Sequence, residues 1–484
     1  MMQVLLINPP YKKIYKNISD AKGIIPPLGI ASIASYIKLH GFSVEILDAN
    51  ALNLNVQETI DLAISKTPEL IGITATTSSF KISSEILEKI KRINVKILTV
   101  MGGAHASAAG RQLLDKCPNI DVVIKGEGEI AFLNVLKNYK IKNFSSIRGI
   151  SYRNSNNEII DNESNNEYVD VNKIPLPAYE LLPMEKYSLP VHHIGVGKKI
   201  PRYPFFMIFT GRACPMDCNF CASKTIWGNK VRLKNAERVI EEIDFLVNEY
   251  NVKVIDIADD IFTLNKTRLH KILDLLISRN YNLYFNCSSR VDTIDEYDLI
   301  KLKKAGCYLI RYGVESGAQK ILEAMNKNIY VSNIEETFAL THKLGITSSA
   351  SFILGYPGET NETALQTIKL ARKLKASVSL FFFAIPYIGT HLHKFVVDNN
   401  YKIVNDTEQW INFPDEPVID IPGITKTELV KLRKLAYRKS FLNFRTIYGS
   451  IKSINSIKSF NSFLKAGLSL LKLLNKSQNK LMLL

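Results

Sequence analysis

Between Met1 and about Asn138 the chain alternates short apolar runs with amphipathic stretches of helical length: VLLINPP, LGIASIASYIKLHG, SVEILDAN, a helix ending near Lys66, LIGITATTS, SEILEKIKRI, KILTVMGG and DVVIKGEGE. Strands that are apolar on both faces need helices on both sides, so the alternation predicts a doubly wound, Rossmann-like parallel sheet. Ligands of such sheets lie beyond the carboxyl ends of the strands. Those ends carry Asn8-Pro9-Pro10, Thr76-Thr77-Ser78, Gly102-Gly103-Ala104-His105 and Gly126-Glu127-Gly128-Glu129. Glycines and small side chains there let a large ligand approach the backbone. No GxGxxG follows the first strand and no GxxxxGK(S/T) occurs, which argues against dinucleotides and nucleoside triphosphates.

Residues 144–195 turn polar, Asn-rich and Pro-containing, with SYRNSNNEIIDNESNNE ahead of KIPLPAYELLP, the pattern of a small hairpin and a linker. From about Phe206 the strand–helix alternation resumes. FFMIFTG, VKVIDIADD, YFNCSS, YLIRYGVES, ASFILGYPG and SLFFFAIPY are separated by helices expected near 236–249, 266–278, 296–304, 333–344 and 362–374. Six strands fit an open (βα)6 barrel better than the complete eightfold form, with catalytic groups at its carboxyl-end mouth. The α/β plan is a Rossmann-like unit over 1–140, a linker with hairpin over 141–195, a partial barrel over 196–405 and a helical basic region over 406–484.

Composition narrows the class. With 484 residues, 46% apolar and 22% charged, the chain has core enough for two or three folded domains. No apolar run reaches the ~18 residues of a membrane span, and the N-terminus lacks the basic start and apolar core of a secretory signal, so a cytoplasmic protein is expected. The formal charge is +16, yet no acidic residue follows Glu428 and twelve Lys or Arg do, so the basicity is local. In that tail Ile447, Ile451, Ile454, Phe460, Phe463, Leu464, Leu468 and Leu471 fall at helical spacing. Two readings stand. A helical cap packing its stripe on the barrel is favoured, because tail stripes usually find their own core; a peripheral helix on an anionic membrane is the other. Nucleic acid is not an expected partner, since few aromatic residues interleave with the lysines and no RNA-binding motif accompanies them.

Six cysteines are too few for a disulfide framework, and three fall in Cys214-Pro-Met-Asp-Cys218-Asn-Phe-Cys221, directly after the first barrel strand. Three thiolates on one loop can hold three irons of a 4Fe-4S cluster and leave the fourth open to a small molecule, which implies catalysis rather than electron storage. Structural zinc is the competing reading, but zinc normally closes its shell with four ligands in paired CxxC units and no second pair lies nearby. Cys117, Cys287 and Cys307 read as buried small residues. Asp259 and Asp260 are neighbours on a strand end and point to opposite faces, so one is expected on the ligand side and the other at solvent or a helix cap.

With the aromatic Phe220 before its last cysteine, the loop resembles that of the radical S-adenosylmethionine (SAM) superfamily. The resemblance continues in order through Ile257–Phe262 (IADDIF), Arg290, Gly313-Val314-Glu315-Ser316, Leu354-Gly355-Tyr356-Pro357-Gly358-Glu359-Thr360 and Pro386-Tyr387-Ile388-Gly389-Thr390, each at the end of an expected strand. With Pro26-Pro27-Leu28-Gly29, Gly102-Gly103-Ala104-His105 and Gly126-Glu127-Gly128-Glu129 in front, residues 1–405 resemble the cobalamin-binding class of radical SAM enzymes.

That resemblance implies three cofactors: a 4Fe-4S cluster on Cys214, Cys218 and Cys221, SAM chelated at the free iron, and cobalamin on the N-terminal unit. It places Phe220, Asp259, Arg290, Glu315, Ser316, Gly355 and Glu359 around SAM, with Arg290 a fork for its carboxylate. Around cobalamin it places Leu28, Gly29, Thr77, Ser78, Gly102, Gly103, His105, Gly126 and Glu127. No DxHxxG string is present, so cobalamin is expected with its own base displaced and no protein histidine on cobalt; His105 is read as lining the pocket. The implied activity is methylation of an unactivated carbon or phosphorus centre of a small or lipidic metabolite, through a 5′-deoxyadenosyl radical and methylcobalamin, with flavodoxin or ferredoxin as electron donor. A non-methylating oxidoreductase or cyclase on the same scaffold, and an iron–sulfur sensor without turnover, are the alternatives. A methylthiotransferase would carry a second cysteine triad in the N-terminal unit, which holds only Cys117.

Overall fold

The computed structural model describes residues 3–12, 14, 23–164, 167–190, 200–201, 204–411 and 414–441. The N-terminal strands are β1 (Gln3–Asn8), β2 (Ser43–Asp48), β3 (Leu70–Thr74), β4 (Leu98–Gly102), β5 (Val122–Ile124), β6 (Ile150–Arg153) and β7 (Ile159–Asp161). They form one sheet in the order β2-β1-β3-β4-β5-β6-β7. The first five are parallel, while the hairpin β6–β7 adds antiparallel to β5, so the polar segment expected before the linker extends this sheet. Successive residues enter opposite cores. Val4, Leu6, Val100 and Ile124 meet the helices Leu28–Leu39 and Gly128–Asn138, whereas Leu5, Ile7, Met101 and Val123 meet Val56–Ser65 and Phe80–Ile93. That two-sided burial is why the strands read as unbroken apolar runs. The chain reverses its direction across the sheet between β1 and β3, the switch point where a crevice opens at the strand ends.

The linker is stapled to both units. Ile24 bridges to Ser188, the Tyr187 hydroxyl donates to Asp48 at 2.9 Å, and Tyr179 donates to Glu242 of the barrel. The second sheet contains β8 (Phe205–Ile208), β11 (Val254–Ile257), β12 (Tyr284–Ser289), β13 (Cys307–Glu315), β14 (Thr347–Leu354) and β15 (Val378–Phe383), all parallel and in chain order, with β8 and β15 not paired to one another. This is the open six-stranded barrel. A two-residue ribbon of β9 (Gly211–Arg212) and β10 (Arg232–Leu233) follows its first strand. The connecting helices are Ala236–Tyr250, Lys266–Arg279, Glu296–Lys304, Val331–Lys343 and Asn361–Leu374. Asn235 and Asn265 cap two of them at their starts, and Asn251 and Asn280, both at φ 49°, end them in the left-handed region that asparagine tolerates.

The basic tail begins as the helix Lys426–Phe441, whose Leu429, Leu432, Ala436 and Tyr437 are buried against the barrel beside β15. The stripe from Ile447 to Leu471 lies outside the described residues. Among the described residues no helix is long and apolar enough to cross a membrane.

Gly103 stands at φ +95°, and a Cβ there would lie 2.8–2.9 Å from the backbone O and N of Ala75 and 2.6 Å from the Thr74 hydroxyl. Gly103→Ala is expected to destabilise the N-terminal unit by about 2–3 kcal/mol, read as an earlier urea transition of that unit. An unchanged midpoint would count against this packing.

Candidate active site

The cysteine loop leaves β9 and is held by hydrogen bonds to the far side of the barrel mouth. Asn219 N–H donates to Met325 O at 2.9 Å and its Nδ2 to Ala324 O at 2.9 Å, while Asn326 Nδ2 donates to Asp217 O at 2.7 Å and Leu392 N–H to Asn219 O at 2.8 Å. Cys214 and Cys218 are half-buried and Cys221 faces the open mouth. Burial raises all three thiols, Cys221 to about 11, and at Cys218 the Lys327 and Arg290 cations oppose that rise. The donor set suits a cluster. A structural zinc site closes its shell with four ligands, and this loop offers three cysteines. A 4Fe-4S cubane instead offers a separate iron to each thiolate, and two neighbouring cations offset its negative charge. Ala213, immediately before Cys214, is held at φ +71°, where a side chain costs about 1–2 kcal/mol.

The residues that the family resemblance placed around SAM divide into two groups. Glu315, at φ +66° on the end of β13, pairs with buried Lys327 at 2.8 Å, and Lys327 Nζ lies 5.9 Å from the Phe220 ring. Arg290 reaches the same mouth, but its fork already holds Asp292, through Nε and Nη2 at 2.8 Å each, and a SAM carboxylate would have to compete with that pair. The other residues face the walls. Asp259 accepts from Thr210 N–H at 2.6 Å, from its hydroxyl, and from Gly211 N–H at 3.1 Å, fixing the entry to the cysteine loop. Its neighbour Asp260 is not in the wall: it is exposed, accepts from Ser223, and is near enough to Cys214 and Cys221 to act on both thiols. Ser316 Oγ meets Thr367 at 3.1 Å and accepts from Ala318 N–H. Gly355 is small because Leu429 of the C-terminal helix covers it: a Cβ would lie 2.9 Å from that side chain. Glu359 accepts from Gly355 N–H, its Oε1 has no partner, and burial pushes its carboxyl up to about 8.

In the N-terminal unit an apolar cavity of ≈ 190 Å³ opens at the strand ends, walled by both units. Leu28, Gly29, Gly102, Gly103, Gly126 and Glu127 are among its lining residues. A Cβ on Gly29 or Gly102 would meet nothing within 4 Å, so these glycines leave free space that a flat ligand group fits. Thr77, Ser78 and His105 are not among the lining residues. His105 is buried against the Phe80 ring at 4.4 Å with Nδ1 3.4 Å from the Thr77 hydroxyl, and burial lowers its pKa to about 4, so it stays neutral within the wall.

Several side chains near these sites were not singled out by sequence reasoning. Arg212 and Trp227 line the cavity, together with Glu129 of the strand-end segment Gly126-Glu127-Gly128-Glu129. Arg212 Nη1 donates to Glu127 at 2.6 Å and Nη2 to Glu129 at 2.7 Å, and Arg232 pairs with Glu127 from the other side. Ser32 donates to Glu129 at 2.7 Å. Burial pushes the Glu129 carboxyl up, but Arg212 and Ser32 outweigh it and hold the group below the usual carboxylate range. Inside the barrel Arg311 donates to Asp256 at 2.7 Å and to Ile257 O at 3.1 Å; a cation in the apolar run YLIRYGVES was the available signal. Lys327 carried no local signal.

Family models agree with this division. The B12 binding domain matches residues 16–136 and the radical SAM superfamily residues 208–371. An uncharacterised methyltransferase of Pyrococcus horikoshii is 33% identical over 453 residues, 93% of this chain and 95% of that protein. The anaerobic magnesium-protoporphyrin IX monomethyl ester cyclase of Rubrivivax gelatinosus is 28% identical over 450 residues, 91% of this chain and 78% of that protein. In fold, the chain is similar to the radical SAM methyltransferase TsrM of Kitasatospora setae, solved with cobalamin and a [4Fe-4S] cluster, at a TM-score of 0.72 and 15% identity over 97% of this chain and 99% of that one. The protein belongs to the cobalamin-binding class of radical SAM enzymes.

Glu359 generates a pH prediction. The unfolded carboxyl ionises near 4.5 and the folded one near 8, so between these values the folded state keeps a proton that the unfolded state has lost, and stability falls as pH rises. Glu359→Gln, neutral throughout, is expected to gain folding stability on the wild type from about pH 5 to about pH 8, by a few kcal/mol at most, read as a widening difference in thermal midpoint. A constant difference across that window would refute the protonated assignment.

Proposed function

We propose that this protein is a methyltransferase that uses cobalamin and radical SAM chemistry on a small-molecule substrate. The observation that carries this reading is the cavity with free space above Gly29 and Gly102, whose far wall includes Arg212, two residues from the first cluster cysteine. When bound, the cluster and SAM supply an organic radical able to take hydrogen from an unactivated carbon, and cobalamin supplies a carrier for a methyl group. The chain's part is to hold and to exclude. Cys214, Cys218 and Cys221 would bind the cluster, Lys327 and Arg290 set cations beside Cys218, and the Glu315 carboxylate, paired to Lys327, would accept from the amino group of SAM. The apolar lining of the cavity would exclude water from a corrin bound there. A lipidic substrate and a flavodoxin or ferredoxin donor fit this chemistry.

A cyclase or oxidoreductase is the second reading, favoured by the 28% identity to the Rubrivivax gelatinosus cyclase. Anaerobically reconstituted protein, reduced and supplied with methyl-labelled SAM, cobalamin and an extract of small metabolites and lipids, separates the readings. Label in a new product supports methyl transfer; 5′-deoxyadenosine with an altered but unlabelled product supports the second reading; no SAM cleavage at all sinks both.

A Cβ at position 102 meets nothing within 4 Å, so Gly102→Leu puts its side chain into that open space. It is expected to lower corrin binding at least tenfold by absorbance titration while iron content stays at the wild-type level. Undiminished corrin binding would place the cofactor elsewhere.

A further inference from the structure

The charge quartet of Glu127, Glu129, Arg212 and Arg232 joins the two units in a single buried contact. Its side chains are only 5–13% exposed. Arg212 is its centre, gripping both carboxylates at once, and its guanidinium lies 5.5 Å from the Trp227 ring that also lines the cavity. Both carboxylates sit at the start of the helix Gly128–Asn138, with Glu127 its N-cap residue, so their positions are fixed by the N-terminal unit. On the barrel side, Thr210 and Gly211 are clamped by Asp259, and Arg268 Nη2 holds Thr210 O at 2.7 Å. Beyond that clamp the chain runs through Arg212 and the left-handed Ala213 into Cys214. Arg212 is the last ribbon residue, paired with Arg232, and only Ala213 separates it from Cys214, so a shift of the Arg212 side chain bears on the backbone directly ahead of the first cysteine. What fills the cavity touches Arg212, Glu127 and Glu129 themselves.

We propose that Arg212 is a positioning residue that couples the two cofactor sites: a corrin in the cavity sets the Arg212 fork, and the fork sets the direction of Cys214, so cobalamin and SAM bind cooperatively. This rests on the reading that the cavity takes cobalamin. Coupling of this kind is reciprocal, so each ligand tightens the other by the same factor. The carboxylates alone would repel, and a buried carboxylate left without its cation is costly, so the fork also sets how closely the units approach.

The test uses the full chain with its cluster reconstituted. SAM affinity is measured by equilibrium dialysis with and without hydroxocobalamin, and hydroxocobalamin affinity with and without SAM. In the wild type each ligand is expected to tighten the other about five- to tenfold. Arg212→Met is expected to bring both ratios close to one while each ligand still binds. The double variant Arg212→Met/Glu129→Gln leaves no buried charge unpaired, because Glu127 keeps Arg232; it is expected to fold as the wild type does and still to lack the coupling. Equal SAM affinity with and without cobalamin in the wild type, or ratios retained in the double variant, would overturn the proposal. If the wild type binds no cobalamin, the functional reading fails separately. The spectrum of the reduced cluster, recorded by electron paramagnetic resonance without SAM or cobalamin, then decides the positioning role: a changed spectrum in the double variant supports it and an identical one overturns it.

Discussion

The backbone from Thr210 to Cys214 has to leave a barrel strand, make a two-residue ribbon and present a cysteine, with little regular hydrogen bonding of its own. Buried backbone groups demand partners, and side chains supply them here. The Asp259 carboxylate takes two N–H groups and a hydroxyl, and Arg268 takes the Thr210 carbonyl. Everything at the barrel mouth is referred to that clamp, because the loop it launches is then tied to residues 324–326 and 392 on the opposite rim. A cluster site on a loop gains in this way the rigidity that sites on strands have by default.

Much of this was legible in the chain. Two-sided apolar strands reported a doubly wound sheet because burial on both faces leaves no polar alternation, and the six barrel strands were readable for the same reason. The cysteine spacing raised cluster chemistry by itself, since three thiols on one loop need no tertiary information to be read together. Gly29 and Gly102 were legible because a glycine at a strand or helix end marks space or turning, and at these two positions it is space. The same cue at Gly355 had another cause: the space was reserved for Leu429, more than seventy residues downstream.

The unreadable part depends on direction and distance. Thr77 and Ser78 follow the lining residue Thr74 and His105 follows Ala104, yet all three are buried away from the cavity, and a strand end does not disclose which way its loop rolls. Arg212 and Lys327 look like surface cations among the 62 Lys and Arg residues of the chain. Their meaning lies in partners supplied from far away or across a turn: Glu127 and Glu129 for one, Glu315 for the other. Buried ion pairs of this sort add little net stability compared with apolar packing, but they penalise any arrangement that separates them, which makes them markers of register between elements.

The barrel sheet stops at six strands, and its last edge is finished by a side chain. Tyr437 sends its hydroxyl to β15, accepting from Phe381 N–H at 3.3 Å and donating to Phe381 O at 3.4 Å, so one phenol stands where a seventh strand would pair. A neighbouring strand fixes both shape and pairing along its whole length, but a phenol fixes one residue. The wall beyond that point is therefore free to be rebuilt from whatever the C-terminal segment provides. The chain beyond β15 also reaches the cysteine loop, through Leu392 N–H on Asn219 O, so a C-terminal segment that reshapes this wall acts on a chamber whose mouth it helps to hold.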